Sequence, residues 1–235
     1  MRIEKIIDHT HDVRELILKT NEPANFRFKA GQFVSLHVPP IEPNGKPVLR
    51  AYSIASSDKT ENGFHLIFKH VPKGIASTFV WSLNGSETLT FTGPFGRVLF
   101  AEPPTEQIIF LCTGTGLAQH LSYLYSVKEK YPHLKYRMLF GVRRPEDVFY
   151  KAQLDTLCKE LTNFNYQIVF SANDVPESLL YKKGYLQNHI EAFDFINIPS
   201  TFYLCGNGDM IKATKTLLLE KYNFEKSKIH SEAFD

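Results

Sequence analysis

The chain has 235 residues, 43% of them hydrophobic and 22% charged, with a net charge of +2. That length suits one large domain or two small ones, and that composition is soluble and globular. It leaves no basic footprint for nucleic acid, no apolar run near the roughly 20 residues of a membrane span, and no apolar signal region in Met1-Arg2-Ile3-Glu4-Lys5.

Residues 1 to about 100 read as strands. β-rich or alternating apolar runs cover 13–18, 31–38, 48–55, 63–71 and 87–92. Turn signals divide them: Pro43-Asn44-Gly45, Glu61-Asn62-Gly63, Asn84-Gly85-Ser86 and Gly93-Pro94. Short strands at this spacing predict a closed antiparallel barrel. One helical stretch over 77–83 interrupts them, with Gly74-Ile75-Ala76-Ser77 at its start. A helix start offers free N–H groups and a positive dipole to a diphosphate. A plain turn with Ser77 as N-cap accounts for the same residues.

After Pro103-Pro104 the pattern changes. Gln107-Ile108-Ile109-Phe110-Leu111-Cys112 is a continuous apolar run, as in a parallel strand buried on both faces. It ends in Thr113-Gly114-Thr115-Gly116-Leu117-Ala118 and a helix over 119–130. Strands at 137–141, 166–170 and 201–205 then alternate with helices near 151–161, 186–193 and 210–221. This alternation predicts a parallel sheet flanked by helices, with ligands beyond the carboxyl ends of its strands. The first glycine turn and Gly206-Asn207-Gly208-Asp209 both fall at that edge. The expected division is a barrel domain, 1–100, and an α/β domain, 101–235.

Arg50-Ala51-Tyr52-Ser53 sets a cation, an aromatic ring and a hydroxyl in one strand. Alternation puts Arg50 and Tyr52 on one face, Ala51 and Ser53 on the other. A flat ring with a diphosphate tail asks for such a set, although an ordinary half-buried strand also explains it. Cys112, Cys158 and Cys205 are too few and too widely spaced for a Cys-x-x-Cys clip or a four-cysteine cluster. A reduced, cytoplasmic chain without a metal site is expected.

The order of these motifs resembles the ferredoxin–NADP reductase superfamily, in particular the bacterial ferredoxin or flavodoxin reductases. The fold this implies is a six-stranded antiparallel flavin-binding barrel followed by a parallel-sheet, Rossmann-like nucleotide-binding domain. Arg50-Ala51-Tyr52-Ser53 is similar to the flavin motif and Gly74-Ile75-Ala76-Ser77 to the flavin-diphosphate motif. Gly93-Pro94-Phe95-Gly96 matches the turn that closes the barrel. Thr113-Gly114-Thr115-Gly116 resembles the pyridine-nucleotide turn, and Cys205-Gly206 and Glu232-Ala233-Phe234 the catalytic Cys-Gly and the acidic-aromatic tail.

The resemblance implies FAD as cofactor and NAD(P)H as co-substrate. Arg50 and Gly74 to Ser77 would bind the flavin diphosphate, and Tyr52 would stack on the isoalloxazine. Ser53 would donate toward N5, Lys69, His70 and Val71 would flank ribose and adenine, and Phe234 would cover the flavin. Thr113, Gly114, Thr115, Gly116, Arg143, Gly206 and Asp209 would hold the nicotinamide nucleotide. Cys205 would face its reactive carbon, or simply be a small buried residue. Glu232 would handle a proton or position the nicotinamide. Ser53, Cys205 and Glu232 are thus the expected catalytic residues.

Three departures from the family's pattern stand out. Gln119 occupies a position where relatives carry proline. Ser171-Ala172 and Gly184-Tyr185 lack the arginines of NADP-selective relatives; Arg143, Arg144 and Lys182 could substitute, yet the losses tilt the donor toward NADH. The chain also stops almost at Phe234. Electrons would pass to a separate ferredoxin, flavodoxin or oxygenase component. The alternatives are a free flavin reductase and the flavin subunit of a multicomponent oxygenase.

Overall fold

The computed structural model describes residues 1–20, 22, 25–40, 45–175 and 177–234. Pro43 and Asn44 of the first expected turn lie outside them. The amino-terminal half has six strands in two antiparallel sheets. β1 (Arg2–Asp8), β2 (Val13–Lys19) and β5 (Gly63–Lys69) form one, in the order β1-β2-β5. β3 (Phe33–Val38), β4 (Val48–Ser53) and β6 (Phe91–Phe95) form the other, in the order β4-β3-β6. Bridges between Ile54 and Leu66 and between Arg2 and Thr88 tie the ends together into the expected barrel. Its core is Leu16, Leu18, Val34, Leu36, Phe64, Leu66 and Phe68, all essentially inaccessible. Full burial of each such side chain contributes about 2 kcal/mol.

Two barrel strands differ from expectation. β1 carries Arg2, Glu4, Lys5 and Asp8 on an edge strand, so charge hides its pattern. β6 lies at Phe91–Phe95, not 87–92. It runs through Gly93-Pro94 because it too is an edge strand, where proline's missing N–H is tolerated.

The second half is one parallel sheet. β7 (Gln107–Thr113), β8 (Lys135–Val142), β9 (Phe164–Phe170), β10 (Tyr181–Lys183), β11 (Ser200–Asn207) and β12 (Ile229–Phe234) stand in the order β10-β9-β8-β7-β11-β12. β7 is apolar throughout because both its faces are covered. Ile108, Phe110 and Cys112 join the core under α2 (Leu117–Val127), while Ile109 and Leu111 pack on the opposite side with Ile190 and Ile211. The edge strands β10 and β12 were not expected. β10 has three residues, and β12 is half-exposed with no apolar run. α3 (Lys151–Glu160) and α4 (Gly208–Thr216) lie near their expected places. The expected helix at 186–193 is a 3-10 helix, and α4 continues into a π turn at Leu217–Lys221.

α2 fastens the sheet to the barrel. Ser122 Oγ donates to the Ser56 carbonyl (2.8 Å), and Ser126 Oγ accepts from the Asp58 N–H (3.0 Å). Tyr123 Oη donates to the Val98 carbonyl. Barrel residues Val13, Ala30, Ala55 and Ile67 belong to the same apolar cluster as α2. Among the described residues no helix is long and apolar enough to cross a membrane.

Candidate functional site

On the barrel side, β4 carries Arg50, Ala51, Tyr52 and Ser53. Arg50 is exposed and donates to its neighbour, the Leu49 carbonyl, at 2.9 Å. The Tyr52 ring is half-buried, inclined on Phe68 with centroids 4.4 Å apart. Burial pushes its hydroxyl up to about 12, against the pull of the Arg50 cation. Ser53 is buried, and its Oγ has no hydrogen-bond partner among the described residues. An unpaired buried hydroxyl costs roughly 1–3 kcal/mol, which a ligand acceptor would remove.

α1 (Ile75–Ser82) packs on β3, β4 and β5. Its N-cap is Gly74, which supplies no side-chain acceptor, and its first turn holds no acid. Ser77 does not cap. Its Oγ turns back to donate to the carbonyls of Val71 (2.8 Å) and Gly74 (3.1 Å). The first intrahelical bond joins Thr78 to Gly74, so the N–H groups of Ile75, Ala76 and Ser77 are free to meet an anion. A Cβ on Gly74 would sit 2.8 Å from Ser77 Oγ, so this tight turn needs glycine. A cation, an uncapped helix start, an inclined ring and an orphaned hydroxyl fit a flavin nucleotide. His70 is held elsewhere, edge-on to Trp81 at 5.1 Å, with its N–H on the Asp12 carbonyl.

A cleft of about 690 Å³ opens beyond the carboxyl ends of β7, β8, β9 and β11. The strand order reverses between β7 and β11, so this is the sheet's switch point. Thr113, Gly114, Arg143 and Asp209 line the cleft, with Asp147, Ser171, Tyr185 and Asn207. Val13 and Lys69 of the barrel form part of its wall, and Lys69 pairs with Asp12 at 3.0 Å. Lys69 thus stands in the wall of this cleft.

The two glycine motifs interlock behind this cleft. A Cβ on Gly116 would meet the Cys205 carbonyl at 2.3 Å. One on Gly206, at φ +126°, would meet Thr113 Oγ1 at 2.3 Å. Thr113 Oγ1 accepts the Asn207 N–H at 2.8 Å, and Asn207 Oδ1 accepts the Met210 N–H to cap α4. Thr115 sits in the 3-10 turn Gly114–Gly116 that leads into α2.

Cys205 is fully buried, in register with Cys112 on one side and Glu232 on the other. Burial pushes its thiol far up, and the Glu232 carboxyl adds to this, so the thiol stays protonated. Burial also pushes Glu232 up, against a hydrogen bond from Gln119. Phe234 lies in register with Asn207, at the cleft rim. Sequence reading missed Asp147, Asn207 and Gln119 as members of the site. Asn207 stood within the Gly206-to-Asp209 turn at the expected ligand edge, and Gln119 showed only as a departure from the family's pattern.

The geometry defines a class, a flavin-nucleotide barrel joined to a nicotinamide-nucleotide sheet. Residues 1–100 match the oxidoreductase FAD-binding domain family, and residues 110–216 the oxidoreductase NAD-binding domain family. The chain is 30% identical over 231 residues to ferredoxin–NADP reductase B of Sorangium cellulosum, covering 95% of this chain and 92% of that protein. It is 29% identical over 238 residues to a glycine betaine monooxygenase reductase subunit of Pseudomonas aeruginosa, covering all of this chain but only 63% of that protein's length. It shares its fold, with a TM-score of 0.86 at 16% identity, with the flavohem-like FAD/NAD binding domain of a Vibrio cholerae nitric oxide dioxygenase, covering 99% and 97% of the two chains. The chain belongs to the ferredoxin–NADP reductase family.

Proposed function

We propose that this chain is an FAD-containing oxidoreductase that takes hydride from NAD(P)H and passes electrons to a separate protein acceptor. Residues 1–100 would be its FAD-binding domain and 101–235 its nucleotide-binding domain. One observation carries the reading: the Thr113-to-Gly116 turn, Cys205-Gly206 and Glu232 converge at the switch point of the sheet, beside a cleft whose wall includes barrel residues. When bound, the flavin supplies the chemistry of accepting a hydride and releasing electrons one or two at a time.

The protein's own residues bind and orient. Arg50 and the free amides of Ile75, Ala76 and Ser77 hold the diphosphate, and Ser53 Oγ offers its unused hydrogen bond to the ring. Tyr52 supplies the stacking surface and Phe234 a cover for the ring. Thr113, Gly114, Arg143 and Asp209 seat the nicotinamide nucleotide. The Cys205 thiol, buried behind the cleft and neutral, sets no competing charge near the nicotinamide. The three cysteines of these 235 residues cannot hold a four-cysteine cluster, so electrons leave for a centre outside them. A ferredoxin, a flavodoxin or an oxygenase component is the acceptor class, the last supported by the oxygenase-reductase relatives. Three free thiols support the cytoplasm as its compartment.

NADH is the preferred donor. The cleft holds Ser171, Tyr185 and the Asp147 carboxyl, and Arg144 is already paired with Asp174 at 3.2 Å. The test is anaerobic titration of the purified protein. It should be yellow, and NADH should bleach it faster than NADPH. A chain that binds no FAD, or a flavin that neither nucleotide reduces, overturns the reading.

A further inference from the structure

Gln119 is the third residue of α2 and only 1% exposed. A helix interior rarely hides an amide without a reason, because a buried polar group needs partners. Its Nε2 donates to two acceptors from different parts of the chain. One is the Gly31 carbonyl of the barrel, at 3.2 Å, and the other is Glu232 Oε2 on β12. Its Oε1 is buried with no partner among the described residues. Two acceptors fix which end of the amide faces them, since turning it over would set oxygen against oxygen. An unpaired buried oxygen is unfavourable. What the buried amide gains in return is the pair of bonds its nitrogen makes.

Gly31 is itself pinned. At φ +94°, its missing Cβ would lie 2.4 Å from both Tyr123 Oη and the Val98 carbonyl oxygen. Tyr123 stands one helical turn beyond Gln119 on α2 and donates to that same Val98 carbonyl. The barrel loop therefore offers a fixed carbonyl, and Gln119 extends it to the acid.

We propose that Gln119 is the positioning residue for Glu232: its amide, clamped on the Gly31 carbonyl, holds the carboxyl in register with Cys205 and ties the alignment of the acid to the seating of the barrel. This deepens the oxidoreductase reading, on which the importance of Glu232 rests. Besides Gln119, the titratable groups facing Glu232 are the Cys205 thiol of β11 and the Tyr123 hydroxyl of α2. Burial pushes both well up, so both stay neutral. Among the described residues Gln119 is then the contact that favours the ionised carboxyl over the neutral one.

The test uses the full chain as purified. Gln119→Met keeps the length and apolar bulk and removes both donated bonds. The ¹³C-carboxyl resonance of Glu232, assigned by its loss in Glu232→Gln, is titrated in both proteins. Its acid dissociation constant should fall about tenfold in Gln119→Met, the size expected for one charge-assisted bond. The pH limb of kcat with NADH should move alkaline by the same amount, with KM within about twofold. Should Gln119→Met fail to fold, Gln119→Glu keeps the shape and sets a second carboxyl against the first, so the alkaline shift should be larger still. An unmoved Glu232 titration in either folded variant overturns the proposal. The titration needs no flavin, so a chain that binds no FAD would defeat the oxidoreductase reading and leave this one standing. An active enzyme with an unmoved titration would do the reverse.

Discussion

Glu15 and Glu232 are both carboxylates withdrawn from solvent where the barrel meets the parallel sheet, yet they are held in opposite ways. Burial alone would raise Glu15, but His65 (3.0 Å), His9 (2.9 Å) and the Tyr150 hydroxyl (2.7 Å) all bond to it, and it falls to about 2. Among the described residues Glu232 has one hydrogen-bond partner, Gln119, and burial prevails, so it rises. The number of donors decides which effect wins. Glu15 is fixed as an anion and acts as a clamp, because Tyr150 reaches it from the second half. Glu232 is instead held toward its neutral form by burial, with a single amide drawing it the other way.

The contrast breaks most sharply at Glu15. Glu15→Ala leaves two imidazoles and a buried hydroxyl without their acceptor, and should cost about 3 kcal/mol in urea unfolding. The sign of its pH dependence follows from the lowered value. Glu15 stabilises fully above its ordinary 4.5, and that contribution drains away as pH falls toward about 2. Thermal unfolding followed from pH 5 to 2 should therefore slope less in Glu15→Gln than in the parent. A smaller effect tests the reach across the seam. Tyr150→Phe removes one bond to a buried charge and should cost about 1.5 kcal/mol while raising the Glu15 titration. FAD content and reduction by NADH should stay as they are. A loss of FAD in that variant would mean the clamp also shapes the flavin groove.

The two acids were not equally legible in the sequence. Glu232 came into view through a resemblance at the chain's end, and its register with Cys205 agrees with a shared place at the switch point. Glu15 gave no signal, because its partners lie 6, 50 and 135 residues away and no local spacing encodes such a knot. The same division runs through the fold. β7 could be read because burial on both faces leaves an unbroken apolar run. β1, β10 and β12 could not, since edge strands are charged, short or half-exposed. Arg50, Tyr52 and Ser53 were legible as a set of candidates, as were Gly116 and Gly206, whose close contacts exclude a side chain. Lys69 was expected beside the flavin ribose and adenine; it stands in the wall of the cleft, since β5 ends beside Asp12 and the carboxyl edge of the sheet. Gln119 was visible only as a departure from the pattern. What it does depends on Gly31 and Glu232, 88 residues before it and 113 after.

The finest separation of the two acids comes from Glu232→Gln. A carboxyl whose folded value is raised above 4.5 opposes folding when ionised, and that opposition grows as pH rises through the folded value. The amide carries no charge at any pH and still offers an oxygen to Gln119. At pH 7 the variant should therefore unfold at a higher temperature than the parent, by the equivalent of about 0.5–1 kcal/mol. The gain should shrink to nothing below about pH 4, where both proteins are neutral at this site. Hydride transfer, followed by rapid mixing with NADH, should slow in the same variant. Stability and activity then move in opposite directions at one residue, as they do where a group is kept for its chemistry and not for the fold. A variant less stable than the parent at pH 7 would make Glu232 a second clamp like Glu15, and the opposition between the two acids would fail.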